Sequence, residues 1–597
     1  MLSYLNSSDQ SKNYQTRWKW WWSNQSIASW FQSHKIFNAQ NEVSRSSEAE
    51  SGLHSTKHRG DKKWKEYEES SLEDCEYSFS KGTPANVKMS VPTSPITPEN
   101  CNETSQASSR RLALYKEFCE NEKMTMDLER TPSQLESLNL PSLSPSYYRC
   151  RQISYNVDII QTVLIPSIRN GDVSHLKWVA PLGSGAVGIV LCPSVADIAI
   201  KVSIYETGFD PRYLHPSKAE AQIMRKLFTV LRLAESNPVT PHVAILLDDM
   251  YGVSLSSLQI PKYFWESSRS ARELQKWIGR NRNCDLTNCS ILFSERLEGG
   301  TLFRSLCRSS PDMKRQRSAD LEELSQGQLK TPKSFLQVLY ELGFSPVDGI
   351  RTVAFQVLFT LTVIKELVPG FKHNDLSLAN IMLRATHDFP IDLWERPFNQ
   401  GRETRSNSET YAKYSSTPLR VYLYRYKNEK FLVPDLGLQP AIADFDFACI
   451  GNGNHPEDIT NAKVAFFESR KVYEEYNIHS KRDDISDAQM FLSNLKDVAL
   501  HNLQRELKSR SLFLKASPNK EESAMLDFFQ RRVHPQCNDS QNRSLRGRLP
   551  PGLCETSEYY SPKGILKDSF FDTFRQMAAE YERNPYKFHL LESYGIV

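Results

Sequence analysis

The sequence predicts an α+β fold behind a long polar N-terminal extension. A glycine-rich turn at residues 183–188 lies between two strand-like stretches, and further strand-like runs follow at 243–247 and 290–293. After these, residues 347–367 place apolar side chains at helical spacing, and helical patterns dominate the chain from there. Residues 1–165 are rich in Ser, Asn, Gln, Glu and Lys with little apolar periodicity, so we expect them to be disordered.

The composition limits the class of protein. A chain of 597 residues can hold two domains, or one large domain with disordered additions. Its net charge of +3 gives no reason to expect a nucleic-acid partner. The eleven cysteines are scattered without a CxxC pair, so neither a zinc cluster nor a disulfide framework is indicated. We find no apolar run of 18 residues and no secretory signal, and expect an intracellular protein without a transmembrane segment.

The N-terminal extension contains a tryptophan cluster. Five of the ten tryptophans lie within residues 18–30. An exposed cluster of this kind is typical of a segment that docks on a partner groove or a membrane surface. It is equally compatible with a segment that folds back onto the main domain, and the sequence leaves both interpretations open.

Order is predicted to begin near Leu176, where a strand leads into a glycine loop. The loop has the pattern G-x-G-x-x-G-x-V and consists of Gly183-Ser184-Gly185-Ala186-Val187-Gly188-Ile189-Val190. Glycines let backbone amides approach phosphate oxygens without side-chain clashes, although tight hairpins use similar runs. A strand at 197–202 follows instead of a helix, which argues against a dinucleotide-binding fold. Lys201 on that strand is predicted to contact nucleotide phosphates.

A lysine inside a nucleotide cleft needs a fixed counter-charge. Glu220 follows Lys201 by 19 residues, within an amphipathic helix pattern at 218–227. We predict that the two side chains pair. The alternative is a surface lysine with an unrelated glutamate.

Three further residues have the spacing of a phosphotransfer site. Asp375 lies behind His373, and Asn380 follows five residues later, just before an apolar run. In this layout the aspartate accepts the proton of an attacking hydroxyl and the asparagine oxygen holds a magnesium ion. Asp444 ends a strand at 440–443 and is well placed to bind the same metal. The alternative is a chance HxDLxxxN match in a helix-to-strand loop.

Together these motifs give a resemblance. Residues 170–500 resemble the eukaryotic-type protein kinase catalytic domain in the order of glycine loop, lysine, helix glutamate, hinge, catalytic loop and metal aspartate. More narrowly, the HNDLxxxNIML loop, the DFDFA ending and the SPKGILKDSFF segment are similar to the divergent Ser/Thr kinases of large cytoplasmic DNA viruses such as the iridoviruses.

The resemblance implies a bilobal fold with a β-rich N-lobe at 170–294 and a helical C-lobe at 295–597. Polar insertions are expected near 308–334, 384–418 and 505–560.

The resemblance also assigns roles to residues. It makes Asp375 the catalytic base, Asn380 and Asp444 the magnesium ligands, and Glu295 and Leu297 part of the adenine hinge. Lys201 and Glu220 become the pair that orients the phosphates. The implied cofactors are ATP and Mg²⁺, the implied partners are protein substrates, and the implied location is the host cytoplasm or the virion.

Four departures from the kinase pattern concern regulation and substrate presentation. Asn374 replaces an arginine that often pairs with a phosphorylated activation loop, and Ser377 replaces a lysine that helps at the γ-phosphate. Asp446 replaces the glycine after Asp-Phe, which limits backbone freedom. No convincing APE segment is found. Asp487, in a later helix pattern, is expected to brace the catalytic loop.

The leading hypothesis is a Mg-ATP-dependent protein kinase that phosphorylates Ser or Thr hydroxyls. A small-molecule phosphotransferase of the aminoglycoside or choline kinase type is the first alternative, because it also uses H-x-D-x-x-x-x-N and a late I-x-D-F-D. A pseudokinase that serves as a binding module is the second alternative.

Overall fold

The computed structural model describes a large part of the chain after residue 144. The described residues are 145–173, 178–184, 188–205, 212–233, 235, 238–281, 284–307, 339, 344–386, 418–451, 457–468, 478–480, 485–511, 517–538, 548–549 and 557–596. The chain divides into two units, Met1–Gln106 and Ala107–Val597, and all described residues belong to the second. The predictions for the tryptophan cluster therefore lie outside the described residues.

The described part begins with a helical segment. Helix α1 spans Pro145–Ile159, a π-helical turn continues over Ile160–Leu164, and α2 spans Ile165–Asn170. The buried face consists of Ile153, Val157, Ile160, Leu164 and Ile168. This segment corrects the prediction that disorder extends to residue 165. The three- and four-residue spacing of those apolar side chains was a readable helical signal.

A five-stranded antiparallel sheet follows. Its strands β1–β5 span Trp178–Ser184, Gly188–Pro193, Ile198–Ser203, Leu246–Val253 and Cys289–Glu295, in the spatial order β1-β2-β3-β5-β4. Helix α3 spans Pro216–Val230 and contacts β4 and β5. Helices α4 and α5 span Lys262–Glu266 and Arg269–Arg280, and the Ser268 side chain caps α5 by accepting from the Ala271 amide.

Gly188 is required for this sheet to form. A Cβ atom at Gly188 would lie 2.4 Å from the carbonyl oxygen of Val202 on the neighbouring strand β3. No side chain fits in that space, because the obstacle is backbone. The last glycine of the loop therefore has a packing role in the sheet, in addition to its predicted role in phosphate binding.

Helices dominate the chain after β5. Helices α6–α12 span Leu302–Cys307, Pro346–Leu367, Ala462–Glu468, Ser486–Ser511, Lys520–Arg532, Pro562–Leu566 and Asp572–Arg583. Helix α7 begins with a capping box formed by Ser345 and Asp348. It is long and apolar enough to cross a membrane, but 94% of its most apolar window is buried in the fold, as in a core helix. Helix α10 lies inside the polar insertion predicted at 505–560, so part of that stretch is helical.

Three small sheets complete the described fold, whose mixture of helices and antiparallel sheets confirms the α+β prediction. Strands β6–β12 span Phe371–Lys372, Ile381–Ala385, Leu419–Tyr426, Glu429–Pro434, Leu438–Ile442, Cys449–Ile450 and Phe588–Ile596. Strand β6 pairs with β11, and β7 pairs with β10. Strand β12 runs parallel to β8, which also pairs with β9. Between β8 and β12 the Tyr594 ring stacks on the ring of Tyr422 and lies tilted against the ring of Tyr424.

Candidate active site

The predicted catalytic loop, residues 373–380, connects β6 to β7. Asp487 on α9 holds this loop through two hydrogen bonds. The Asp487 carboxylate accepts the His373 amide at 2.8 Å and the Asn374 amide at 3.0 Å. Its side chain is almost completely buried. Asn374 has left-handed backbone, φ 61°, which is unfavourable for a residue other than glycine. These contacts confirm the prediction that Asp487 braces the loop.

Asp375 and Asn380 lie side by side at the end of this loop. The Asn380 Nδ2 donates to the Asp375 carbonyl oxygen at 2.7 Å and to its Oδ2 at 3.0 Å. The amide nitrogen is therefore used within the loop, and the opposite atom, Oδ1, is the one that can coordinate a cation. The short 3-10 turn Leu378–Asn380 brings the Asn380 side chain next to the Asp375 carboxylate.

Asp444 is held next to the catalytic loop by backbone contacts. The Ala443 amide donates to the Asn380 carbonyl oxygen at 2.9 Å, and the His373 ring nitrogen Nε2 lies 3.0 Å from the Ala443 carbonyl oxygen. Asp444 itself is left-handed, φ 62°, and nearly half of its side chain is exposed. One carboxylate and one amide oxygen are hard oxygen ligands of the type that magnesium prefers, so the residues present fit this ion.

Lys201 contacts its predicted partner Glu220 and, in addition, Asp444. Its Nζ lies 2.8 and 2.9 Å from the two carboxylate oxygens of Glu220 on α3, and 2.7 Å from Asp444 Oδ1. Burial lowers the pKa of Lys201, but the Asp444 and Glu220 carboxylates outweigh burial and raise the pKa well above its ordinary value. Lys201 is therefore a permanent cation between two carboxylates.

Glu220 is the residue of this group whose carboxyl changes its charge near neutral pH. Burial raises its pKa to about 7, and Lys201 only partly offsets the effect. Below that pH the carboxyl is neutral and no longer forms an ion pair with Lys201. The pairing of Lys201 with Glu220 therefore depends on pH in the neutral range.

We expect kcat/KM for ATP to fall about tenfold between pH 8 and pH 6, because a single ionisation with a pKa near 7 governs the Lys201–Glu220 pair. Initial rates at limiting ATP across this pH range measure the effect. In Glu220→Gln the overall rate is lower and this acid limb is absent. An unchanged acid limb in that variant would assign the ionisation to another group.

The glycine loop is described at both ends, and residues 185–187 lie outside the described residues. Gly183 and Ser184 end β1, where they pair with Val190 and Ile189 of β2. Val190 is also opposite Lys201 on β3, so the two side chains share one face of the sheet. Ile189 is on the other face and fully buried, and its part in ATP binding stays a prediction.

Two half-buried residues near predicted site residues were missed from the sequence. Ala199 lies two residues before Lys201 on the same face of β3 and is half-buried. Met382 lies two residues after Asn380 on β7 and is half-buried between the buried Ile381 and Leu383. For Ala199 the two-residue spacing from Lys201 on one strand was the available signal. Asn380 lies in the turn before β7, so no such strand spacing indicated Met382.

The predicted hinge follows β5 in the chain and is hydrogen-bonded to β7. The Gly299 amide donates to the Leu383 carbonyl oxygen, and the Leu383 amide donates to the Gly300 carbonyl oxygen, at 2.9 and 2.8 Å. The Leu297 carbonyl oxygen accepts the Gly300 amide at 3.3 Å. This strip places the segment after β5 directly beside the strand that follows Asn380.

The side chain of Glu295, a residue predicted to be part of the adenine hinge, forms ion pairs with two arginines. Its carboxylate pairs with Arg149 of α1 and Arg384 of β7, each at 2.8 Å, and also accepts the Ile245 amide. Burial raises the pKa of Glu295, but the two guanidinium groups outweigh burial and lower it. Its own amide donates to the Ile245 carbonyl oxygen. Both the side chain and the amide of Glu295 are therefore used within the fold.

Asp446 fills the position where kinases usually have glycine. It lies in the 3-10 turn Phe445–Phe447, forms a buried ion pair with Lys463, and accepts the Tyr205 hydroxyl at 3.0 Å. The Asn461 side chain donates to its carbonyl oxygen at 2.9 Å. The Asp446 carboxylate is therefore committed to Lys463 and Tyr205, and the turn holds without a glycine.

Two viral proteins are similar in sequence to this chain. No known family profile matches the chain. A protein of Acanthamoeba polyphaga mimivirus named "Putative serine/threonine-protein kinase" is 28% identical to this chain over 398 residues. The matched region covers 66% of this chain and 65% of that protein. The chain is similar to viral protein kinases. A second mimivirus protein with this kind of name is 24% identical over 156 residues, which is 23% of this chain and 32% of that protein.

This similarity confirms the predicted resemblance to kinases of large cytoplasmic DNA viruses. The chain spans less than two thirds of the length of either viral relative. The kinase-like sequence and the α+β fold are thus established for this chain, and its own reaction is a matter for proposal.

Proposed function

We propose that this chain is a Mg-ATP-dependent protein kinase that transfers the γ-phosphate of ATP to Ser or Thr hydroxyls of proteins. One observation carries the proposal. Lys201 contacts Glu220 and Asp444, and Asp444 is joined through the Ala443 backbone to Asn380, which in turn contacts Asp375. One connected set of contacts thus contains every residue type that phosphoryl transfer to a hydroxyl requires.

The proposed arrangement is bilobal. The nucleotide would lie between the β1–β5 sheet and β7, with the Leu297 N–H group and the Glu295 carbonyl oxygen at the adenine edge. The nucleotide face of the sheet would be formed by Val190, Ala199 and Lys201, and Met382 would lie on the opposite side.

Each polar residue has a distinct part in the proposed reaction. Lys201 leaves Asp444 and contacts the phosphates, while Glu220 keeps it in place. Asn380 Oδ1 and the Asp444 carboxylate would hold magnesium, which neutralises phosphate charge when bound.

Asp375 orients the substrate hydroxyl and accepts its proton. The hydroxyl oxygen forms a bond to the γ-phosphorus, the bond from that phosphorus to the β,γ-bridging oxygen breaks, and ADP leaves.

A protein substrate is favoured over a small alcohol by the position of Asp446. The small-molecule alternative drew on this second aspartate of the I-x-D-F-D sequence. In the fold its carboxylate pairs with Lys463 and Tyr205, which is a structural use of the residue. This removes one of the reasons for that alternative.

We also propose the host cytoplasm or the virion as the location, in keeping with the viral relatives.

The proposal is tested by transfer of radiolabel from γ-labelled ATP with purified full-length protein. Generic protein substrates, small amino alcohols and the protein alone are offered in parallel with Mg²⁺. We expect acid-stable label on protein Ser or Thr, and its loss in Asp444→Asn, which removes a metal-binding charge with little change in shape. Label only on a small alcohol would select the small-molecule alternative, and nucleotide binding without transfer would select the pseudokinase.

A further inference from the structure

We propose that Arg548 is a positioning residue for the catalytic base, and that it supplies from the C-terminal part of the chain a cation that the catalytic loop lacks. The inference rests on the proposed function. Arg548 Nη2 lies 2.7 Å from Asp375 Oδ1. Only 3% of the Arg548 side chain and 7% of the Asp375 side chain are exposed.

Arg548 also contacts the backbone just before the base. Its Nε and Nη2 atoms donate to the Asn374 carbonyl oxygen at 3.2 and 2.9 Å. The planar guanidinium thus bridges a backbone carbonyl and the carboxylate that follows it. A rigid fork of donors can fix both groups at once, which a single ammonium on a flexible stem does poorly.

These contacts complete the support of a strained turn. The Asn374 amide is already held by Asp487, and its carbonyl oxygen is held by Arg548. Left-handed backbone at a non-glycine residue persists only where surrounding contacts enforce it. Arg548 therefore controls the direction in which the following residue, Asp375, leaves the turn.

The Asp375 carboxylate is held from two sides. Arg548 contacts Oδ1, and the Asn380 Nδ2 lies 3.0 Å from Oδ2. A carboxylate oxygen can accept two hydrogen bonds, so this arrangement is compatible with a further bond from a substrate hydroxyl. The guanidinium also favours the ionised carboxylate, the form in which it accepts a proton.

The catalytic loop has no cation of its own beside the base. Ser377 stands two residues after Asp375, where related kinases place a lysine. Arg548 brings a positive charge to the same carboxylate from a distant part of the sequence. Its neighbour Leu549 is fully buried against Ile485, which lies just before α9. The helix that carries Asp487 and the segment that carries Arg548 therefore support the loop together.

Stability alone is a weak reason for this ion pair. The cost of removing two charges from water offsets most of the attraction between them, so buried ion pairs contribute little net stability. The placement of the pair at the proposed base, with a second bond to the preceding carbonyl, fits a role in orienting the base.

The test compares Arg548→Ala and Arg548→Lys with Arg532→Ala in the full-length protein. Arg532 is a matched control, since it forms another buried ion pair in the C-terminal part, 2.7 Å from Asp568. We expect Arg548→Ala to lower kcat by about 10- to 100-fold, the loss typical of a misplaced catalytic group, with KM for ATP nearly unchanged. Arg548→Lys should recover part of kcat, and Arg532→Ala should keep it.

Chemical rescue separates positioning from a merely structural role. Millimolar guanidinium should restore part of kcat in Arg548→Ala and none in Arg532→Ala. A kcat of Arg548→Ala within twofold of the parent would overturn the inference, and a higher kcat would show that Arg548 inhibits the base. If Arg548→Ala does not fold, Arg548→Gln replaces it with the same criteria. An inactive parent protein would refute the proposed function, and this inference with it.

Discussion

Replacement of Asp375 by asparagine should reduce phosphoryl transfer by about 10²- to 10⁴-fold, the contribution of a positioned general base. Asparagine keeps the shape of the side chain and an oxygen that can accept from Arg548, so the loop should keep its fold. The amide does not accept the hydroxyl proton. MgATP binding should persist, because Lys201, Asn380 and Asp444 are unchanged. Single-turnover transfer and nucleotide titration measure the two effects separately.

Asp285→Asn is the matched control for this prediction. Asp285 lies in an exposed turn, where it accepts the Thr287 amide and hydroxyl. The same change of carboxylate to amide there should leave transfer within twofold of the parent. Transfer by Asp375→Asn at the parent rate would refute the role of Asp375 as the base.

Replacement of Asp487 by alanine should destabilise the protein by about 2 to 6 kcal/mol and abolish transfer. The stability estimate follows from two buried amides, His373 and Asn374, that would lose their acceptor at about 1 to 3 kcal/mol each. Transfer would be lost because Asp375 follows these amides directly. Urea unfolding followed by circular dichroism gives the stability, and the radiolabel assay gives the rate.

Asp487→Asn separates the two expected effects. Its side-chain oxygen can still accept one of the amides, while its NH₂ group faces the other. Stability between that of Asp487→Ala and the parent is therefore expected. If Asp487→Ala unfolds at the same urea concentration as the parent, the two amide contacts do not support the loop.

Much of the candidate site could be predicted because its residues fall in short local motifs. Asp375, Asn380 and Asp444 each lie at a strand end, where sequence spacing fixes which side chains meet. The pairing of Lys201 with Glu220 could be predicted because a buried cation requires a nearby carboxylate. Strand-like runs in the region of the first sheet and the core helix α7 followed from apolar patterning. The roles of these residues in a reaction remain predictions.

The missing parts depend on contacts between distant segments. Arg548 meets Asp375 across more than 170 residues of sequence, and no local pattern distinguishes it from other arginines in a polar stretch. The use of Glu295 to join Arg149 and Arg384 is of the same kind. Strand β12 was missed because its partner, β8, lies far away in the sequence and no turn joins the two. The start of the ordered region at α1 is a different case, because the helical spacing of its apolar residues could have been recognised in the sequence.

The parallel pairing of β12 with β8 has a consequence for biosynthesis. At typical elongation rates, the ribosome would add the residues between these strands in about 10 to 30 s. During this interval β8 has an open edge beside the aromatic side chains of Tyr422 and Tyr424, which Tyr594 later covers. Expression hosts with ample chaperone capacity, or slower synthesis at low temperature, should therefore raise the yield of native protein.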